Sequence, residues 1–368
     1  MSDPRVQRLA RLLVQHSIRA KENEQVAIMG WPEALPLMEA AYEAVIEAGA
    51  HPLPLLDYAL YDEAMIKKGR TAQLEFVSPL HRLAFENCDA IIKIRAQTNT
   101  RALSNVDAAR QSTRQAAHAK LIQAQMTRGA TGALKWVTTL FPTDAHAQDA
   151  EMSLREFEDF VYGACHVNGQ DDPVAYWRSV EAEQQRLVDF LKGKHQLRVK
   201  GESIDLTLSI GGRTFLNAAG EHNMPDGEIY TGPVEDSVNG WVRFTYPAVL
   251  HGREVEGVEF GVENGRVIRA SARKNQDFML KTLDTDPGAR YFGEFAIGTN
   301  FGVTRHIKNI LFDEKIGGTL HLAVGAGYPE TGSKNTSAVH WDMVCDMRSG
   351  SEIWVDGELF YQNGEFKV

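Results

Sequence analysis

The sequence predicts two domains: an α/β N-terminal domain with a largely parallel sheet, followed by a β-rich α+β C-terminal domain. Three observations predict this. Strand-like and helix-like stretches alternate up to about residue 140, the texture of successive βαβ units. A pair of helical stretches then runs through 144–193 with no strand between them. Beyond that, two-residue turn signals built from glycine and asparagine separate short apolar runs, as in antiparallel hairpins. The chain has 368 residues, 43% of them hydrophobic, enough for two cores, because one core seldom grows past roughly 250–300 residues. The boundary falls after Gly193, giving domains 1–193 and 194–368.

Taken in order, the N-terminus carries a Ser/Asp cap, Pro4 at the first helical position, and Val6, Leu9 and Leu13 at helical spacing. This is an amphipathic helix, too often interrupted by Arg and Gln to be a secretory signal. Residues 26–29 form a short β-type run, and a helix follows through Ala48 and stops at Gly49. Extended runs recur at 51–56, 89–94 and 134–140. The first β-to-α turn offers only Gly30 and lacks the glycine spacing of a nucleotide-phosphate cradle. Ser153 and Glu156 are spaced as a capping box. Asp172-Pro173 starts the second helix of the pair and Gly193 ends it. Farther on, Gly211-Gly212, Asn264-Gly265 and Asn363-Gly364 each predict a hairpin. Asp286-Pro287 predicts a helix stopped at Gly293.

Charge narrows the function. A net charge of −10 and no Lys/Arg run argue against nucleic acid, which demands a basic face. No apolar run approaches the roughly 18 residues of a membrane span, so the expectation is a cytoplasmic protein. Cys88, Cys165 and Cys345 form no C-x-x-C pair, which argues against a zinc knuckle and a disulfide framework.

The chemistry concentrates between Glu294 and Asp342. In 319–324, Leu320, Leu322 and Val324 point one way and His321 the other, by strand alternation. In 339–344, His340 and Asp342 share the face opposite Val339, Trp341 and Met343. Glu228 opens a short strand after the turn Pro225-Asp226-Gly227, Glu294 precedes an apolar F-A-I-G, and Glu314 lies in the loop-like F-D-E-K. Brought together, four carboxylates repel and raise one another's pKa; two divalent cations balance them better than one. Oxygen and nitrogen ligands without thiolate suit zinc, cobalt, manganese or iron. Two such ions roughly 3.5–4 Å apart bridge a hydroxide and polarise a carbonyl, the layout of metal-assisted amide hydrolysis. Glu314 or Glu294 is then a proton shuttle, and Tyr328 a donor to the developing oxyanion. Each residue also has a bland reading: a satisfied core histidine for His321, solvated acids for Glu228, Glu294 and Glu314, a packing aromatic for Tyr328.

The segments L-F-P-T-D-A-H-A-Q-D-A-E-M-S-L (140–154), G-E-I-Y-T-G-P (227–233), D-S-V-N-G (236–240), T-D-P-G-A-R-Y-F-G-E (285–294), N-I-L-F-D-E (309–314), H-L-A-V-G-A-G-Y (321–328) and H-W-D (340–342) resemble, in order, motifs of the M29 metalloaminopeptidases, the thermophilic aminopeptidase T group. The resemblance implies that Glu228, Glu294, His321, His340 and Asp342 bind two divalent ions, drawn from zinc, cobalt, manganese or magnesium. It further implies that Tyr328 is catalytic and that Glu314 lies near the metals. It implies peptide substrates with a free N-terminus, a β-rich catalytic domain and a homodimer. A competing class on the same scaffold, non-haem iron dioxygenases that open hydroxylated pyridine rings, needs two His and one carboxylate, and so has no use for both Glu228 and Glu294.

Overall fold

A computed structural model describes residues 3–57, 59–250 and 252–368. The chain forms two compact units, one of residues 1–178 with 220–225, the other of 179–219 with 226–368.

The first unit is built on β1 (Gln25–Gly30), β2 (His51–Leu56), β3 (Ala90–Arg95) and β4 (Lys135–Leu140). They lie in the order β2-β1-β3-β4, all parallel, and the short strand Asn223–Met224 adds beside β4. These are the predicted extended runs to within a residue or so. The buried centres of β1 and β3 (Val26 to Ile28 and Ala90 to Ile92, all fully buried) explain why they read as continuous apolar runs. Helices cover the sheet. The first, Pro4–Leu12, starts as expected, with the Asp3 side chain accepting from the Arg5 amide. Leu35–Glu47 follows β1 and ends before Gly49, whose φ of 76° suits a helix stop. Ala108–Ala130 joins β3 to β4 and packs Ala117 and Leu121 against Ala27, Phe85 and Ile91. Ser153 and Glu156 form the reciprocal capping box at the head of Leu154–Ala164.

The second unit is antiparallel. An eight-stranded sheet runs in the order Arg266–Ser271, Glu259–Glu263, Asn239–Arg243, Ile204–Ser209, Gln196–Gly201, Glu352–Val355, Glu358–Gln362, Glu365–Phe366. A five-stranded sheet runs His340–Asp346, Thr319–Gly325, Phe292–Gly298, Glu228–Thr231, Leu216–Ala218. One core joins them, with Val199, Leu206 and Phe260 from the first and Phe295, Leu322 and Trp341 from the second. The α/β plus β-rich fold class is the one observed.

Two of the three predicted hairpins form. Glu263 pairs with Arg266 around Asn264-Gly265, and Gln362 with Glu365 around Asn363-Gly364; all four turn residues have positive φ. The Gly211-Gly212 hairpin does not. Of that pair only Gly212 takes positive φ, and Ile204–Ser209 pairs instead with Gln196–Gly201 and Asn239–Arg243, while Leu216–Ala218 joins the other sheet. The helix expected from Asp286-Pro287 is also absent. The helix there is Gln276–Leu283, and Asp286 heads a turn, its carboxylate accepting from the amides of Gly288 and Ala338 and the Ser337 hydroxyl. No helix among the described residues is long and apolar enough to cross a membrane.

Candidate active site

One face of the five-stranded sheet is core; the other carries the polar cluster. Strand alternation places Leu320, Leu322, Val324, Val339, Trp341 and Met343 in the core, which leaves His321, His340 and Asp342 on the opposite face as expected. Glu228 and Tyr230 arrive on the same face from Glu228–Thr231. Small residues stand across from the functional ones: Ala296 opposite His321 and Tyr230, Ala323 opposite Glu294 and Asp342, Gly325 opposite His340, Gly298 opposite Glu228. Larger side chains there would fill the space over the cluster.

Glu294 reaches this face through a β-bulge. The register shifts between Phe292 and Glu294, so Phe292 faces the core with Phe295 and Ile297 while Glu294, two residues on, faces the cluster. Gly293 makes the bulge possible: a Cβ there would lie 2.2 Å from the Ala326 carbonyl oxygen.

Six of the seven sequence candidates meet as potential metal ligands. Glu228, Glu294 and His321 form one triad, Glu294, His340 and Asp342 a second, and Glu314, His321 and Asp342 a third, with the ligand atoms of each triad within 4.8 Å of one another. His321 Nε2 lies 3.5 Å from Glu228 Oε2 and 3.6 Å from Glu294 Oε1; His340 Nε2 lies 3.4 Å from Glu294 Oε2 and 3.3 Å from Asp342 Oδ1. The seventh, Tyr328, stacks edge-on to His340 with ring centroids 5.3 Å apart. Glu314 caps the short helix Ile310–Asp313 rather than lying in an irregular loop.

The donor set fits a metal. Glu228 Oε2, Asp342 Oδ1 and His321 Nδ1 are buried without a hydrogen-bond partner, a costly state for protein groups alone. All donors are oxygen or nitrogen; Cys345 lies in the core on the other face. His340 Nδ1 sits 2.8 Å from the Ala326 carbonyl and so carries a proton, which makes Nε2, facing Glu294 and Asp342, the nitrogen that would coordinate once its own proton is displaced.

Charge is tightly coupled here. Burial alone would raise Glu294, but His321 and His340 hold it well below the usual carboxylate range. Burial likewise opposes protonation of the two imidazoles, yet the carboxylates outweigh it, lifting His321 to about 9 and His340 well above its ordinary value. Burial pushes Glu228 up to about 8 against the pull of Lys315 and His321, and raises Glu314 too. Although Tyr328 is 37% exposed, desolvation of its phenol and the nearby Glu294, Asp342 and Glu314 carboxylates raise it above its normal value, so it stays a neutral donor.

Sequence reasoning missed Lys315 and Tyr230. Lys315 is 1% exposed, with Nζ 2.5 Å from Glu228 Oε1, 2.7 Å from Glu314 Oε1 and 3.5 Å from Asp226 Oδ1. It tethers two candidate acids to each other. Nothing in F-D-E-K marks that lysine as buried. Tyr230 was within reach: it stands two residues after Glu228 on the same strand, hence on the same face, and its ring lies 5.5 Å from that of Tyr328.

The chain is similar to several known proteins. Over 208 residues the chain is 29% identical to aminopeptidase AmpS of Bacillus subtilis (strain 168), covering 52% of this chain and 49% of that protein. It is 30% identical over 249 residues to aminopeptidase T of Thermus aquaticus, covering 61% of this chain and 59% of that one. The matches thus span about half to three-fifths of these curated relatives. Wild-type AmpT from Thermus thermophilus has the same fold, with a TM-score of 0.84, 21% identity and 99% of both chains covered. Residues 2–366 match the family described as thermophilic metalloprotease (M29), and the chain therefore belongs to the M29 family.

Proposed function

We propose that this protein is a metal-dependent aminopeptidase that removes N-terminal residues from peptides, using a pair of divalent ions. The observation that carries the reading is the position of Glu294, shared by two ligand triads, one completed by Glu228 and His321 and the other by His340 and Asp342. A carboxylate common to two sites is the arrangement a metal pair needs. Bound there, a pair supplies charge to polarise a carbonyl and a water acidic enough to attack at neutral pH.

The chain's own residues provide the rest. Glu228 and His321 would hold one ion and His340 and Asp342 the other, with Glu294 available to both. Glu314, raised by burial and next to His321 and Asp342, accepts a proton at its carboxylate and returns it to the departing amine. Tyr328 donates its hydroxyl to the oxygen that gains charge as the carbonyl is attacked. The Ala and Gly residues opposite these groups leave room for a substrate end. The free α-amine of a peptide suits a site lined by carboxylates, and an acylated N-terminus does not. The ring-opening dioxygenase reading is disfavoured because a single iron leaves Glu228 or Glu294 buried without a role. Action in the cytoplasm, expected from the sequence, as a homodimer, implied by the family resemblance, completes the proposal; light scattering tests the dimer.

The deciding experiment is chelation followed by reconstitution. Chelated protein should lose cleavage of aminoacyl anilides and regain it with Co²⁺ or Zn²⁺, while a peptide with an acetylated N-terminus is refused. Oxygen uptake with Fe²⁺ and a dihydroxypyridine, without peptide cleavage, contradicts the proposal.

A further inference from the structure

The α/β unit contains a cavity that the metal chemistry does not use. In an open parallel sheet, a crevice forms at the carboxyl ends of two neighbouring strands whose onward connections leave in opposite directions. Here the order β2-β1-β3-β4 puts that point between β1 and β3. A cavity of about 430 Å³ lies there, lined by Gly30 at the end of β1, Asp57 just past β2, and Lys93 and Arg95 at the end of β3. Its lining is mixed: Trp31, Phe85, Leu121 and Ile122 supply apolar and aromatic wall, and His81, Arg114 and His118 join the titratable groups already named.

Lys93 makes this more than a gap. Its ammonium donates to the neutral Gln125 Oε1 at 2.5 Å and lies 4.7 Å from the centre of the Phe85 ring. Among the described residues no carboxylate forms an ion pair with it. The two acids in the lining are otherwise engaged: Asp57, which also attracts Lys93 without pairing with it, has Oδ1 2.9 Å from His81 Nε2, and Asp62 is 3.8 Å from Arg114 Nε. Loss of water, with Arg95 beside it, lowers the Lys93 ammonium to about 8. A cation that sheds water without gaining an anionic partner is costly, and an anion from outside is the missing partner.

The chemistry of that anion is constrained. No glycine-rich loop presents amides; Gly30 is followed by Trp31 and by Pro32, which has no N–H, so the backbone offers no phosphate cradle. The lining sets the carboxylates of Asp57 and Asp62 against the cations of Lys93, Arg95 and Arg114, a small positive excess that suits a monoanion better than a dianion. The aromatic and aliphatic walls accept an apolar body. From this combination we infer that the crevice between the ends of β1 and β3 binds a small monocarboxylate with an apolar or aromatic body, its carboxylate against Lys93 and Arg95.

The test is calorimetric titration of the full-length, metal-loaded protein with 3-phenylpropanoate, L-phenylalanine and inorganic phosphate. Because carboxylates also coordinate metals, each titration is repeated on Lys93→Met and on Arg95→Gln, whose metal-binding residues are untouched. Arg95 is exposed, so Arg95→Gln remains informative if Lys93→Met fails to fold. Binding of either carboxylate that weakens at least tenfold in the folded variants, with no matching phosphate binding, supports the site; the two carboxylates differ only in whether the α-amine is read. Three outcomes overturn it: no carboxylate binding up to tens of millimolar, equal binding by wild type and both variants, or phosphate binding as tightly.

Discussion

The pH dependence of metal uptake tests the electrostatics of the cluster. An imidazole must be neutral to coordinate, yet in the metal-free protein Glu294 and Glu228 help keep His321 protonated up to about pH 9. Below that pH, each ion entering the Glu228–Glu294–His321 triad must displace a proton. At pH 7 the displacement costs about two pH units, on the order of 3 kcal/mol. His321 alone therefore weakens apparent affinity about 100-fold at pH 7 relative to its limit well above pH 9, where the curve flattens. The direction follows from the raised pKa: the proton is fully held below it and gone above it, so affinity climbs with pH. His340, raised by Asp342 and Glu294, adds to the slope at the second triad. Titrating chelated protein with Mn²⁺ in buffers of different ionisation enthalpy measures both the slope and the protons released. At least one proton per chain should leave at pH 7. Affinity flat between pH 7 and 9, with no proton release, refutes the coupling described here.

Three further predictions test single residues. Lys315→Met leaves Glu228 and Glu314 without their shared cation; breaking a buried pair this way costs about 3–5 kcal/mol, read by denaturant unfolding of the chelated protein, and an unchanged midpoint contradicts the tether. Gly293→Ala forces a Cβ against the Ala326 carbonyl and turns Glu294 away from the cluster, so bound metal and peptidase activity should fall together; full metal content would show that the bulge is not needed. Tyr328→Phe keeps the ring beside His340 and removes only the hydroxyl, so kcat should fall by about 10²–10³ with metal content unchanged. Loss of metal instead would make Tyr328 a structural support.

Much of this site was legible because it lies on strands. Period-two alternation suffices to put His321 opposite Leu320 and Leu322, and His340 beside Asp342, and both hold in the sheet. Glu294 resisted the same logic because the bulge at Gly293 breaks the alternation: counted from Phe292, which is core, Glu294 should be core as well. Lys315 was invisible because a lysine in a polar tetrapeptide carries no mark of burial; only three carboxylates arriving from Asp226, Glu228 and Glu314 make its burial tolerable. The fold followed the same pattern. The alternation of strand and helix from β1 to β4 announced a parallel sheet, whereas Gly211-Gly212 and Asp286-Pro287 depend on φ values and partners that residue type alone does not set. The switch-point cavity lay beyond sequence reasoning, since it exists only once β1 and β3 are neighbours.

The central claim is that Glu294 joins two metal positions, and metal stoichiometry tests it most directly. Elemental analysis of freshly purified wild type should give about two divalent ions per chain, and Glu294→Ala, which removes a ligand from two of the three triads, should lose both ions. A single ion in the wild type, or two retained in Glu294→Ala, contradicts the account.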